Sequence, residues 1–284
     1  MDKLKILLPK GRIYDNVVEL SNGAGISSKL PERAYRPTVN QDDLEAKVMK
    51  PQNIGKLLEL GAHDVGFTGR DWIEETSADV EEIMDLGFDK VRIVAAVPNA
   101  IDDKQLKSKR VIVATEYENI SKRWLDSEKI DSLVVRTYGA TEVFPPDDAD
   151  MIIDNTATGR TLVENGLRIV DTIMTSSTRM FASKEAMKDP EKKKKILELK
   201  MLFEAVLDAR DRVMLEMNVT KENFDALVKG LPSMRSPTVS PLYGDDGFAV
   251  KIAVKKGEVP NLLPKLKELG ATDILEYQLR KVMN

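Results

Sequence analysis

The chain has 284 residues, 42% hydrophobic and 32% charged, with Lys+Arg 43 against Asp+Glu 47; this excludes a disordered or collagen-like chain and leaves length for two or three domains. Its formal net charge of −4 offers no broad electrostatic footing for nucleic acid, so an anionic ligand must be held by a local site. No cysteine occurs and His63 is the only histidine, which removes disulfides, thiolate nucleophiles, Cys-bound zinc and His-rich ligand sets, and leaves carboxylates, hydroxyls, lysines, arginines and bound magnesium.

Residues 4–8 read as a buried strand that breaks at Pro9-Lys10-Gly11-Arg12. That apolar run is too short for a signal-peptide core or a membrane span, and a cytoplasmic protein without a membrane partner is expected. Val17, Val18, Leu20 and Ala24 then fall near helical spacing. A strand over 46–49, a helix opened by Pro51 and stopped by Gly61, a strand over 64–67, strands over 91–97 and 111–113, a helix over 119–125 and a strand over 132–135 keep a βα rhythm. His63 reads as a surface-loop residue. Residues 151–153 form another strand, leading through a turn-rich stretch into a helix over 161–165 that ends at Gly166.

Asp189-Pro190 caps and opens a long helix whose stripe Ile196, Leu199, Leu202, Phe203 and Val206 is apolar, and which joins two domains. Lys192 to Lys195, at its start, read as a solvated face. Beyond it the order changes to a strand over 213–219, a helix after Thr220, a Pro/Ser-rich link, strands near Val239 and over 248–254, a helix over 261–269 and a strand over 274–279. That βαββαβ order predicts a ferredoxin-like module, a common small-molecule sensor and pairing unit.

The segment richest in chemistry is Met151-Ile152-Ile153-Asp154-Asn155-Thr156-Ala157-Thr158-Gly159-Arg160-Thr161-Leu162. An apolar strand delivers an acid, then a hydroxyl- and glycine-bearing loop runs into a helix. Main-chain N–H groups, threonine hydroxyls and the helix N-terminus can wrap a phosphate, Gly159 permits close approach, and Asp154 can accept hydrogen bonds from sugar hydroxyls. Together they suit a phosphoribosyl group. A helix-capping turn without ligand accounts for the same residues equally well at this point.

This run resembles the phosphoribosyl pyrophosphate loop of phosphoribosyltransferases, and more specifically the long form of the ATP phosphoribosyltransferase family. The resemblance extends to Leu8-Pro9-Lys10-Gly11-Arg12, Arg36-Pro37, Lys50-Pro51-Gln52-Asn53-Ile54, Asp64-Val65-Gly66-Phe67-Thr68-Gly69-Arg70-Asp71, Gly139-Ala140-Thr141-Glu142, Pro237-Thr238-Val239-Ser240-Pro241-Leu242 and Gly270-Ala271-Thr272-Asp273-Ile274-Leu275. Residues 143–148 are about one residue shorter than the family pattern and lack its glycine. Asn155 stands where many phosphoribosyltransferases carry a second acid, so magnesium is expected to ride mainly on the pyrophosphate.

The resemblance implies an α/β fold: a bilobed body like a type II periplasmic binding protein, followed by a ferredoxin-like, ACT-like regulatory domain. The lobes are expected at 1–90 with 181–210 and at 91–180, the regulatory domain at 211–284. It further implies transfer of the phosphoribosyl group from phosphoribosyl pyrophosphate to a ring nitrogen of ATP, with magnesium, as the first step of histidine biosynthesis. Asp154, Lys10 and Arg12 are the expected catalytic residues. Asp154, Thr156, Ala157, Thr158, Gly159, Arg160 and Thr161 would bind the sugar donor. Lys10, Gly11, Arg12, Arg36, Lys50, Gly69, Arg70 and Asp71 would bind ATP. Inhibitory histidine would meet Asn218, Thr238, Ser240, Ala271 and Thr272, in a homo-oligomer of dimers forming a hexamer. Two rivals share much of this pattern: a non-catalytic bilobed sensor, and a phosphoribosyltransferase with another acceptor base.

Overall fold

The computed structural model describes residues 2–32, 34–102, 106, 108–232, 236–244 and 246–283; Ser233, in the expected Pro/Ser-rich link, lies outside them. By internal contacts the chain forms two compact units, Met1–Glu19 with Ser27–Leu197, and Leu20–Ile26 with Glu198–Asn284.

The first unit is built on two five-stranded sheets. In one, β1 (Leu4–Pro9), β4 (Leu44–Met49) and β5 (Val65–Gly69) run parallel. Each leads into a helix: α1 (Arg12–Ala24), α2 (Pro51–Glu59) and α3 (Arg70–Thr76). The short pair β2 (Ser28–Lys29) and β3 (Thr38–Val39) stands apart, while β6 (Val80–Asp85) and β12 (Thr178–Ser183) complete the order β4-β1-β5-β12-β6. The second sheet has the order β11-β7-β10-β8-β9, made of β7 (Val91–Pro98), β8 (Val111–Thr115), β9 (Ser132–Arg136), β10 (Met151–Thr156) and β11 (Leu167–Ser176). In it β8, β9 and β10 are parallel, and α4 (Glu118–Glu128) and α5 (Arg160–Glu164) follow β8 and β10.

The unbroken apolar run of β10 has a simple cause. Met151 and Ile153 lie in the core under α4 with Tyr117, Ile120 and Leu125, while Ile152 packs on the opposite face with Leu162 and Phe144. A strand covered on both faces needs no polar alternation. The shortened segment 143–148 closes as a turn in which Asp148 N–H donates to the Phe144 carbonyl, and Phe144 contributes to that second core.

β6, β11 and β12 are not foreseen by hydrophobic pattern. In β11 the register against β7 slips between Ile169 and Asp171 and again between Thr172 and Met174, which scrambles the period of two. His63 is half-buried, its Nδ1 has no partner, and enclosure pushes its pKa down. The lysine run also departs from a solvated face: after α6 (Lys184–Lys188), at the start of α7 (Pro190–Arg210), Lys192 reaches buried Asp64 at 2.8 Å and Lys195 reaches Asp43 at 3.0 Å. Asp189 caps α7 as expected, its Oδ1 accepting from the N–H groups of Glu191 and Lys192, and α7 runs from the first unit into the second.

The second unit carries β13 (Arg212–Val219), α8 (Lys221–Gly230), β14 (Thr238–Pro241), β15 (Phe248–Lys255), α9 (Val259–Glu268) and β16 (Thr272–Gln278). Its antiparallel sheet is ordered β14-β15-β13-β16, the ferredoxin-like arrangement. Val213, Leu215, Met217, Val250, Ile252 and Val254 alternate inward onto Leu227, Leu262 and Leu266 of the helices.

Candidate active site

Parallel strands collect ligands at their carboxyl ends, where the chain leaves the sheet in loops. In the first sheet these ends are Pro9, Met49 and Gly69; in the second they are Thr115, Arg136 and Thr156. The two sets face each other closely enough that the charge of Lys50, just past β4, acts on Glu116, just past β8. Enclosure nonetheless dominates at Glu116 and raises its pKa.

Asp154 lies one turn of pleat before the end of β10, partly exposed. Its Oδ1 accepts the Asn155 N–H at 2.6 Å and the Asn155 side-chain amide at 3.2 Å. Removal from water pushes its pKa up to about 6; the Thr141 hydroxyl and Asn155 N–H oppose the rise, while Glu116 and Glu142 add to it. Thr141 belongs to a bend in which Gly139 and Ala140 have φ of 105° and 50°, and its hydroxyl lies 2.9 Å from that of Thr137. A non-glycine residue in that region is held there by its surroundings, as is common beside functional groups.

The loop after Asp154 is tied internally. Gly159 N–H donates to Thr156 Oγ1 at 2.9 Å, Arg160 N–H donates to Thr158 Oγ1 at 3.3 Å, and Gly159 takes φ 80°, the conformation glycine tolerates. The following helix is short, Arg160–Glu164, so loop amides rather than a helix dipole are what it offers an anion. Arg160 turns outward, 82% exposed and paired with Glu164 at 2.7 Å.

Asp71, expected with Gly69 at the nucleotide, is buried in a chain of hydrogen bonds. Asp71 is 4% exposed; its carboxylate accepts from Ser176 Oγ at 2.6 Å and from Tyr117 OH at 2.8 Å. Tyr117 stacks on Trp72 with centroids 4.6 Å apart, and its oxygen in turn accepts from the Asn155 side-chain amide at 3.2 Å. A buried chain of hydrogen bonds thus runs from the first sheet to the group next to Asp154. Gly69 has an ordinary backbone, but a Cβ there would fall 2.0 Å from Asp71 Oδ1. Gly69→Ala therefore breaks this chain; we expect it to destabilise by about 1–3 kcal/mol in urea titration, because the displaced carboxylate is buried.

The expected ATP cations separate into two groups. Lys10 sits 5.4 Å from the Tyr35 ring centroid and lines, with Gly11, Tyr14 and Tyr35, a groove of about 350 Å³. Arg12 reaches Asp89 at 3.3 Å, and Arg36 pairs with Glu45. Arg70 lines a different groove, with Glu74, Arg123 and Trp124. The two tyrosines of the first groove are missed from sequence, since neither lies in a motif.

In the ferredoxin-like unit, Asn218 and Thr272 are register partners, and both donate to Asp273 Oδ2, at 3.1 and 3.2 Å. Asp273 was not foreseen; its φ of 50° is the one signal of an unusual position. Ala271 is buried, whereas Thr238 and Ser240 lie exposed on edge strand β14, separated from Asn218 by β15.

Among the described residues no three His, Cys, Asp or Glu side chains converge as a metal-binding group. A carboxylate and a Thr-Gly loop at the carboxyl end of β10 suit a phosphoribosyl-transferring enzyme. A family model described as ATP phosphoribosyltransferase matches residues 50–205, and one described as the HisG C-terminal domain matches 209–281. The chain is 40% identical over 287 residues to an ATP phosphoribosyltransferase of Chlorobium phaeovibrioides, covering 99% of this chain and 98% of the relative. It is 39% identical over 289 residues to one of Desulforudis audaxviator, with 99% of each covered. A solved chain of the ATP phosphoribosyl transferase (HisG:HisZ) complex from Thermotoga maritima shares the fold, with TM-score 0.61 and 24% identity over 69% of this chain and 98% of that one. The chain belongs to the ATP phosphoribosyltransferase family, pentosyltransferases that take the first step of histidine biosynthesis. None of its described helices is long and apolar enough to cross a membrane.

Proposed function

We propose that this chain joins the phosphoribosyl group of phosphoribosyl pyrophosphate to a ring nitrogen of the ATP adenine, with Asp154 holding the ribose hydroxyls and residues 156–161 the 5′-phosphate. The observation that carries this is the partly enclosed Asp154 carboxylate placed directly before a hydroxyl-rich loop at the carboxyl end of β10. The bond from the anomeric carbon to the pyrophosphate oxygen breaks as the adenine nitrogen, whose lone pair is free at neutral pH, attacks. Positive charge grows on the sugar and negative charge on the leaving group, so placement and electrostatics supply the catalysis. Ionised Asp154 would favour the sugar's charge, and Lys10, Arg12 and Lys50 would meet phosphates. Magnesium would be held mainly by the oxygens of the pyrophosphate and would offset their charge.

The lobes would be 1–90 with 181–210 and 91–180, the end of α7 from Glu198 grouping by its contacts with the second unit. In the regulatory domain, 211–284, Asp273, Asn218 and Thr272 would meet the charged ends of histidine. Ser240, two strand spacings or about 9–10 Å from Asn218 by register, and Thr238, which lies opposite Glu216 and so farther away, would reach it from a second copy in a dimer-based hexamer. The protein would work in the cytoplasm. The test is pyrophosphate release from ATP, phosphoribosyl pyrophosphate and magnesium, repeated with other purine nucleotides and with added histidine. Turnover with ATP, lowered by histidine, is expected; ligand binding with no turnover would make the chain a sensor.

A further inference from the structure

Arg160, the cation that the sequence places in the phosphate loop, points to solvent and is paired with Glu164. The loop's helix is too short to supply charge in its place. A cation does lie beneath the loop. Arg92, on β7, is the register partner of Thr156, and residues opposite one another across an antiparallel pair share a face. Asp154, two positions before Thr156, shares it too. The Arg92 guanidinium approaches Gly159 so closely that a Cβ on that glycine would sit 4.0 Å from Nη2. Arg92 is half-buried, and among the described residues it has no hydrogen-bond or ion-pair partner.

A guanidinium withdrawn from water without a counter-ion is unfavourable unless an anion completes it. Glu116 and Glu142 add negative charge around Asp154, which directly precedes this loop. We propose that Arg92 is the cation that binds the 5′-phosphate of the sugar donor, reaching it as a planar fork from under Gly159. This rests on the reading of residues 156–161 as the phosphate loop. The positive φ of Gly159 shapes the loop directly above the guanidinium.

Ribose 5-phosphate carries this phosphate and not the pyrophosphate, so it isolates the contact. Its binding, and that of inorganic pyrophosphate, are measured by calorimetry on the full chain for wild type, Arg92→Gln, Arg92→Lys and Thr156→Val, each checked for an unchanged melting transition. Arg92→Gln should weaken ribose 5-phosphate at least about tenfold, the size of a lost charge-assisted bond, and leave pyrophosphate within about twofold. Arg92→Lys, which keeps charge but not the fork, should fall between and serves if the glutamine variant does not fold. Loss in Thr156→Val with none in either Arg92 variant overturns this proposal and leaves the loop reading standing. Loss in the Arg92 variants with none in Thr156→Val supports the arginine at the phosphate and removes only the Thr156 hydroxyl from the loop's role. Loss in neither overturns both.

Discussion

Asp154→Asn should lower turnover by about 100- to 1,000-fold, the size of a lost group that stabilises transition-state charge, and at the same time make the protein more stable at pH 7. The two effects share one cause. Enclosure raises the folded-state pKa of Asp154 from 3.8 to about 6, with Glu116 and Glu142 adding to the rise. Between those values the folded chain holds a proton that the unfolded chain has released, so stability falls as pH rises through the window. A shift of this size corresponds to about 3 kcal/mol as an upper figure. Asparagine never charges, so the gain of the variant over wild type should be absent below about pH 4, grow up to about pH 6 and stay level above it. Urea titrations at several pH values read this directly. The same ionisation sets the rate: kcat/KM for the sugar donor should climb with pH through about 6 in wild type. A variant that is fully active, or less stable at pH 7, contradicts the role.

Glu75→Ala should destabilise by about 2–4 kcal/mol, because it strips a helix of its cap and leaves buried N–H groups unpaired. Helix α4 begins after Tyr117, which offers its first turn no side-chain cap. The cap comes from the other sheet's helix: Glu75, 7% exposed, accepts the Asn119 N–H at 3.0 Å and the Ile120 N–H at 2.9 Å. Asn119 returns a bond to the Glu75 carbonyl at 2.8 Å. Glu116 and Tyr117 immediately precede this helix, so the loss should also lower kcat. Glu75→Gln, which keeps one acceptor, should recover about half of the stability. A change in urea midpoint too small to resolve for the alanine variant would show that water replaces the carboxylate.

Much of the fold is legible in the sequence where one element has one dominant constraint. Residues 151–153 are buried on both faces and read as a plain apolar run; Pro51, Gly61 and Asp189 mark helix ends by backbone chemistry alone. β11 is hidden because two register slips and Asp171 break its alternation. The site divides the same way. Asp154, Thr156 and Gly159 are contiguous, so their chemistry shows in the chain order. Tyr117 and Glu75 act only through partners far away in sequence, 38 positions for Tyr117 to Asn155 and 44 for Glu75 to Asn119, and Arg92 meets the loop only through the β7–β10 register. For Asp71 and Arg160 it is the orientation that the chain order leaves out. A motif gives residue types in order, but whether a side chain faces the loop, the core or solvent depends on which neighbour claims it, Ser176 and Tyr117 for one and Glu164 for the other.

The most direct measurement is a crystal structure of the enzyme soaked with phosphoribosyl pyrophosphate. The account places the 5′-phosphate within about 3 Å of main-chain nitrogens in residues 156–161, and a ribose hydroxyl on the Asp154 carboxylate. Density for the sugar donor at another place, with this loop and Asp154 making no contact to it, would contradict the account.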